Sequence, residues 1–340
     1  MSKTTLLPYI NLRISTHKTD YHHFGYSLPQ ESSCEIAAIA DTGCQSCQAG
    51  VAILEKLSLK PTDLLPAEMI ISAADSKPIK ILGALILRFE GVDRWGNNLE
   101  TRQLTYITDS CNEILLCKRA CQDLGIVSQN FPQIRDSNTK LRRNPKYLST
   151  SRKILKFLRH FGNKDFDVSC DKDSLEDCDQ HILGEGETVD YFKYNKSTKT
   201  WKKEPSSEKP NIDLQVSVGP KDFEKFGYSL EKKESSCTAT VMADTGCSNC
   251  LAGDRILEKL NLEISDLIPV NKKISGANSQ SLNILGAAIL RFQGQDRFGN
   301  PVKTRQATYI IGNSDKFLLS EKACKDLGII SKKFPQVGQF

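Results

Sequence analysis

The stretch that decides the fold is AIADTGCQSCQAG, residues 38–50, which returns later in the chain as VMADTGCSNCLAG, residues 241–253. In both copies an apolar run ends at an aspartate, Asp41 or Asp244, which is followed by threonine and glycine. This pattern predicts a carboxylate at the end of a buried strand, in a tight turn whose glycine lets backbone N–H groups approach it. One Asp-Thr-Gly alone is a weak signal, because most examples are ordinary β-turns. Its repetition in the same context makes it a candidate site.

The duplication covers most of the chain. Residues 31–134 align without a gap on residues 234–337, and 56 of these 104 positions are identical. We therefore predict two domains of the same fold, at 8–134 and 211–340. The segment 135–210 has no second copy, and we interpret it as a polar, charged linker with one amphipathic basic helix as an option.

Composition limits the class of protein. The 340 residues suffice for two domains with hydrophobic cores, and 39% hydrophobic with 26% charged residues is typical of a globular protein. Apolar runs such as ILGALIL (81–87) are too short to cross a bilayer, and the N-terminal sequence lacks the apolar segment of a signal peptide. We expect a cytoplasmic protein without membrane contact, whose 12 cysteines are reduced.

Hydrophobic periodicity predicts a mainly β fold. Alternating apolar residues near the start of each repeat predict a half-buried strand, as at residues 10–14. Turn-like sequences predict one hairpin at 69–86 and another around 93–98. Short helices are expected after Gly50 and at 118–124. Each repeat should thus contain six or seven strands and one or two short helices.

Residue types exclude several kinds of site. The second repeat contains no histidine, so neither a Ser-His or Cys-His nucleophile nor a histidine metal site can be the shared chemistry of the repeats. Of the acids at matched positions, only Asp41 and Asp244 follow an apolar strand and precede Thr-Gly. They are the candidates for catalysis.

These segments resemble the active-site segment of retropepsins, the aspartic proteases of retroviruses and LTR retrotransposons. The stretches at 64–89, 101–108 and 115–126 and their second copies at 267–292, 304–311 and 318–329 are similar to protease domains of Ty3/gypsy-type elements. The resemblance covers nearly all of both repeats and none of 135–210.

The resemblance implies two retropepsin-like β domains and assigns a role to each matched residue. Asp41 and Asp244 would be the catalytic aspartates, and the strands at Leu115-Leu116 and Leu318-Leu319 would lie beneath the two loops. The residues that support the active-site loops would be Thr42, Gly43, Thr245 and Gly246, with the threonines bracing one loop against the other. The flaps over the substrate would contain Ala73, Ala74 and Asp75 in the first repeat and Gly276, Ala277 and Asn278 in the second.

The implied activity is that of a retrotransposon-derived aspartic endopeptidase. Each repeat supplies one aspartate, so a pair requires either an intrachain pseudo-dimer or a homodimer, and two close carboxylates share a proton. The substrate would be a polypeptide, and neither a cofactor nor a metal is expected. The chain departs from the family pattern at Cys44 and Cys247, and at Cys117 and Ser320. A catalytically inactive retropepsin-fold protein that binds peptides is the alternative.

Two further hypotheses remain open. Cys44-x-x-Cys47 and Cys247-x-x-Cys250 could form a four-thiolate zinc site or a redox pair, although structural thiols are the simpler interpretation. The basic residues of 140–164 could bind nucleic acid, or could be neutralised by the acidic stretch 165–190.

Overall fold

A computed structural model describes most of both repeats and little of the segment between them. The described residues are 7–22, 26–67, 71–72, 78–109, 111, 113–135, 188–189, 192–195, 200–203, 209–224, 226–271, 274 and 281–340. The chain divides into two compact units. One contains both repeats (1–135 and 206–340), and the other spans 136–205.

Each repeat forms a closed six-stranded barrel, so the predicted mainly β class with two β domains and short helices is confirmed. In the first barrel the strand order is β1-β2-β8-β3-β7-β6. Its strands are β1 Tyr9–Thr16, β2 Ser32–Ala40, β3 Cys47–Gly50, β6 Ile81–Val92, β7 Asn98–Thr108 and β8 Ile114–Leu116. The short β4 Ile71–Ser72 and β5 Pro78–Ile79 pair with each other outside it.

The second barrel repeats this order as β12-β13-β17-β14-β16-β15. Its strands are β12 Asn211–Val218, β13 Ser235–Ala243, β14 Cys250–Gly253, β15 Ile284–Gln295, β16 Pro301–Ile311 and β17 Phe317–Leu319. In both barrels the long hairpin, β6–β7 or β15–β16, pairs antiparallel along its whole length. The apolar faces of these strands fill the barrel interior, where residues such as Leu87 and Leu290 have no exposed surface.

The sequence pattern underestimated the helices. The described residues of each repeat form three short α-helices and a 3-10 turn, where one or two helices were expected. The unpredicted helices are Lys18–His22 and Pro220–Glu224, which have no apolar periodicity because each is only five residues long. The other helices are Ala52–Lys56, Lys118–Asp123, Arg255–Lys259 and Glu321–Asp326, and the 3-10 turns are Pro61–Asp63 and Ile264–Asp266.

Each unpredicted helix is held by one buried aromatic side chain, Tyr21 or Phe223, and by a buried ion pair. The carboxylate of Asp20, 2% exposed, accepts from Arg88 Nε at 2.7 Å and from Arg102 Nη1 at 3.0 Å. In the second repeat Asp222 makes the same contacts with Arg291 and Arg305. Burial opposes ionisation of Asp20, but the two guanidinium groups outweigh it and lower the pKa of this carboxyl.

The segment between the repeats contains a small antiparallel sheet that the sequence analysis did not predict. It is formed by β9 Thr188–Val189, β10 Phe192–Asn195 and β11 Thr200–Lys203, in the order β11-β10-β9. The basic stretch 140–164, for which an amphipathic helix was an option, lies outside the described residues. The limits predicted for the two domains and the linker remain predictions.

The two repeats exchange their C-terminal segments. Ile134 of the first repeat packs against Gly294 of the second, where a Cβ on the glycine would lie 2.4 Å from Ile134 Cδ1. Val337 packs in the same way against Gly91 of the first repeat, where the corresponding distance is 2.8 Å. Backbone bonds reinforce both crossings: Arg135 N–H donates to the carbonyl of Gly328, and Gln339 N–H to that of Gly125. This reciprocal packing joins the two barrels.

Over the parts of the chain that the structure describes, no helix combines the length and apolar character needed to cross a membrane.

Candidate active site between the two repeats

Each Asp-Thr-Gly segment is a loop that leaves a buried strand and rests on the strand below. β2 ends at Ala40, and the next residue, Asp41, donates its N–H to the carbonyl of Leu116 at 3.0 Å. Asp244 follows β13 and donates to Leu319 at 3.1 Å. The predicted position of Leu115-Leu116 and Leu318-Leu319 beneath the loops therefore agrees with the pairing of β8 and β17.

Within each loop, the backbone turns back onto the aspartate. Gly43 N–H donates to Asp41 Oδ1 at 3.0 Å, and Gly246 N–H to Asp244 Oδ1 at 3.1 Å. The N–H of the following cysteine donates to the aspartate carbonyl at 3.2 Å in both loops. These bonds fix the orientation of each carboxyl group while one oxygen, Oδ2, stays outside the turn.

The two loops face each other at very short range. A Cβ added to Gly43 would lie 2.5 Å from Cγ of Asp244, and one added to Gly246 would lie 2.5 Å from Cγ of Asp41. No side chain fits at such a distance, so glycine is required here by the carboxyl group of the opposite repeat. The structure thus brings Asp41 and Gly43 of the first repeat together with Asp244 and Gly246 of the second. Each residue is 203 positions from its counterpart in the sequence.

Hydrogen bonds of Thr42 and Thr245 join the two loops. Both side chains are fully buried. Thr42 Oγ1 donates to the carbonyl of Ala243 at 2.8 Å and accepts from Thr245 N–H at 3.2 Å. Thr245 Oγ1 donates to the carbonyl of Ala40 at 2.6 Å and accepts from Thr42 N–H at 3.1 Å. Because each hydroxyl proton is used by a carbonyl, the 3.1 Å approach of the two hydroxyl oxygens is a contact and not a fifth bond.

The electrostatics of the site favour a protonated carboxyl group. Burial raises the pKa of Asp244 well above its ordinary value, and the charge and hydrogen bond of Asp41 raise it further. The N–H groups of Gly246 and Cys247 act in the opposite direction but do not outweigh these effects. The raised pKa of Asp244 keeps a proton in the site at pH values where an isolated aspartate is already ionised.

The cysteines next to the aspartates remain neutral thiols. Burial raises the pKa of Cys44 well above that of a free thiol, and Asp41 and Asp244 raise it further. Cys247 is shifted in the same direction, first by burial and then by Asp244. Since a thiolate is the reactive form of cysteine, neither residue is placed to act as a nucleophile.

The second cysteine of each C-x-x-C pair points into its own barrel. Cys47 Sγ lies 3.5 Å from Cys117 Sγ, and Cys250 Sγ lies 3.4 Å from Ser320 Oγ. Among the described residues, no three His, Cys, Asp or Glu side chains form a group that could hold a metal ion. A four-thiolate site from Cys44, Cys47, Cys247 and Cys250 is therefore not assembled in this fold.

The predicted flap residues Ala73, Ala74, Asp75, Gly276, Ala277 and Asn278 lie outside the described residues. The arms of the hairpins are described in part. β4 pairs with β5 through Ile71–Ile79 and Ser72–Pro78, and Leu282 N–H donates to the carbonyl of Ile274 at 2.8 Å. The described arms thus agree with the predicted hairpin at 69–86.

A partly buried polar network, which links each long hairpin to the last helix of its repeat, was not singled out from the sequence. Thr101 Oγ1 donates to Asp123 Oδ2 at 2.8 Å, and Gln103 Nε2 donates to Thr101 Oγ1 at 2.8 Å. The second repeat forms the same bonds with Thr304, Gln306 and Asp326. The repeated TRQ at 101–103 and 304–306 and the matched acids are visible in the sequence. No local pattern shows, however, that these side chains contact each other. This network fixes the helix that begins next to β8 or β17, beneath the active-site loops.

A scan of this chain against models of protein families finds no match, and a search of curated proteins finds none either.

Proposed function

We propose that this chain is an aspartic endopeptidase of the retropepsin type, with Asp41 and Asp244 as its catalytic pair. The observation that carries the proposal is the approach of each loop glycine to the opposite aspartate carboxyl, with a Cβ-to-Cγ distance of 2.5 Å on both sides. The four bonds of Thr42 and Thr245 support it, because they hold the two loops in this arrangement within a single chain.

The reaction needs one ionised and one protonated carboxyl group at the same time. The ionised group takes a proton from a water molecule, and the resulting hydroxide attacks the carbonyl carbon of the scissile peptide bond. The protonated group donates a hydrogen bond to the carbonyl oxygen, which gains negative charge in the tetrahedral intermediate. When the intermediate collapses, the C–N bond breaks and the leaving nitrogen takes the proton that the first carboxyl group removed from water, so the pair again holds one proton. The raised pKa of Asp244 supports the presence of one protonated and one ionised carboxyl group, since it keeps one proton on the pair at mildly acidic pH.

The substrate class follows from the shape expected of such a site. Two hairpins over two loops would enclose an extended peptide segment. Apolar side chains near the scissile bond would contact the partly buried apolar residues that pack with Cys247 on one core cluster, such as Ile274. We therefore propose cleavage of polypeptides at apolar positions.

The test is cleavage of a peptide library between about pH 4 and pH 7, the range in which carboxyl pairs of raised pKa operate. Wild type should cleave, pepstatin should inhibit it, and Asp41→Asn and Asp244→Asn should both be inactive. Asp213→Asn is the control, because Asp213 is an exposed strand residue bonded only to Thr240 among the contacts described. Peptide binding without cleavage by wild type would instead identify a silent peptide-binding protein.

A further inference from the structure

The second repeat has a concave, strongly basic surface on the side of its barrel, which we call the basic groove. Its volume is about 640 Å³. It is lined by Lys303, Thr304, Arg305, Lys322, Lys325, Asp326 and Lys332. Five of these seven residues are cations and one is an acid, so the lining carries a net charge of +4 (5 − 1).

The first repeat has the same backbone but not the same charge. At the seven matched positions it carries Glu100, Thr101, Arg102, Arg119, Gln122, Asp123 and Gln129. Two cations and two acids give a net charge of zero (2 − 2). Because the fold of the first repeat does not need these lysines, their presence in the second repeat is not explained by barrel stability.

The cations converge from three elements. Lys303 and Arg305 lie two residues apart on β16 and therefore share its outer face. Lys322 and Lys325 lie three residues apart on the helix Glu321–Asp326, so their side chains are neighbours. Lys332 follows in the exposed turn after that helix.

Several of these cations already have acidic neighbours. Lys322 Nζ contacts Asp326 Oδ2 at 2.6 Å, Lys325 pairs with Glu321, and Arg305 Nε bonds Asp222 at 2.6 Å. The exposed Lys322–Asp326 pair contributes little energy, so a polyanion competes with it readily, whereas Arg305 stays paired with the buried Asp222. Within the described ranges, Lys303 and Lys332 form no ion pair, and both are exposed.

An exposed aromatic residue lies in the turn of the hairpin whose second strand carries Lys303. Phe298, in the turn between β15 and β16, is 65% exposed, and the guanidinium of Arg297 lies 4.7 Å from its ring centre. It precedes Lys303 by five residues, which limits their separation to about 18 Å. An aromatic face within reach of a cluster of cations suits a single strand, which offers both bases for stacking and phosphates, whereas an acidic peptide has no base to stack.

We propose that the basic groove binds the phosphodiester backbone of single-stranded nucleic acid, with Phe298 stacking on a base. This binding site is separate from the proposed protease site and belongs to the second repeat alone. Lys303, Lys325 and Lys332 would each contact one phosphate, and each contact would release condensed counterions.

The experiment measures the binding of a fluorescent 20-nucleotide oligouridylate by anisotropy, over a series of salt concentrations. The full-length Asp41→Asn chain is used, so that the result does not depend on proteolysis. The test variant is Lys303→Glu/Lys325→Gln/Lys332→Gln, which introduces the residues that the first repeat carries at these positions. The control is Lys56→Gln/Lys233→Glu/Lys259→Gln, which removes the same charge from three exposed lysines outside the groove.

We expect the test variant to bind at least tenfold more weakly at 0.1 M salt. The slope of log K against log salt should fall in magnitude by about 2, because each single-strand contact contributes about 0.7. The control should stay within threefold of the parent, and Phe298→Ala should weaken binding about tenfold through lost stacking. Equal loss in test and control variants, or no loss in either, would overturn the proposal. So would competition by polyglutamate as effective as that by the oligonucleotide, which would identify an acidic polypeptide as the ligand.

Discussion

Replacing Thr42 by valine tests the bond network that holds the two loops together. Valine has nearly the shape of threonine, but it can neither donate to the carbonyl of Ala243 nor accept from Thr245 N–H. Both backbone groups would then be left without these partners in a region where the side chains of Thr42 and Thr245 have no exposed surface. An unsatisfied buried group costs about 1–3 kcal/mol, so we expect the free energy of unfolding to fall by about 2–6 kcal/mol.

Urea unfolding followed by circular dichroism measures this loss, with Thr42→Ser as the matched control. Serine keeps the hydroxyl group and loses only a methyl, so Thr42→Ser should lie within about 1 kcal/mol of wild type. Thr245→Val should cost as much as Thr42→Val, because its bonds are the same in kind. A Thr42→Val protein as stable as Thr42→Ser would refute the view that these hydrogen bonds join the repeats.

Three further variants test other contacts of the site. Gly43→Ala should abolish cleavage, because its Cβ would lie 2.5 Å from Asp244 Cγ. In the control, Gly96→Ala, the φ of +82° strains an alanine but its Cβ meets nothing within 4 Å, so this variant should lose some stability and retain cleavage. Equal activity of the two variants would contradict the loop geometry. Ser320→Ala should lower stability by about 1 kcal/mol in urea unfolding, because Ser320 Oγ accepts from Ala323 N–H at the start of a helix; an unchanged midpoint would show that this cap contributes nothing. Asp244→Asn should gain stability relative to wild type as the pH rises from about 4 to 7. The raised pKa of Asp244 stabilises folded wild type fully below the unfolded pKa of about 3.9, and this stabilisation is lost as the pH rises through the pKa of Asp244 in the folded chain. Asparagine does not titrate, so it loses nothing over this range. A difference in thermal unfolding temperature between variant and wild type that stays constant from about pH 4 to 7 would contradict the pKa shift.

Much of the site was predictable because it is encoded by short, repeated patterns. The apolar strand before Asp41 and the glycine after Thr42 fixed the local loop, and the constant offset of 203 placed the same loop around Asp244. The meeting of the loops was expected only from the resemblance, because no local pattern shows which residues approach each other across two barrels. The contacts of Ile134 and Val337 with the opposite repeat depend on such long-range packing.

The features that the sequence analysis missed have different physical causes. The helix Lys18–His22 is too short for apolar periodicity and is held by the buried carboxylate of Asp20, whose arginine partners are 68 and 82 residues away. The basic groove was missed because its lysines are dispersed between residues 303 and 332 and converge only when β16 and the following helix pack together. The sequence analysis instead considered nucleic-acid binding only for the basic stretch 140–164.

The most direct test of the central claim is peptide cleavage by Asp41→Asn, by Asp244→Asn and by an equal mixture of the two, compared with wild type. The four hydrogen bonds between Thr42, Thr245 and the backbone join the two loops of one chain. Our account therefore predicts that wild type cleaves and that each variant is inactive, alone and in the mixture. Recovery of activity on mixing would contradict it, because an intact pair could then form only between the first repeat of one chain and the second repeat of another.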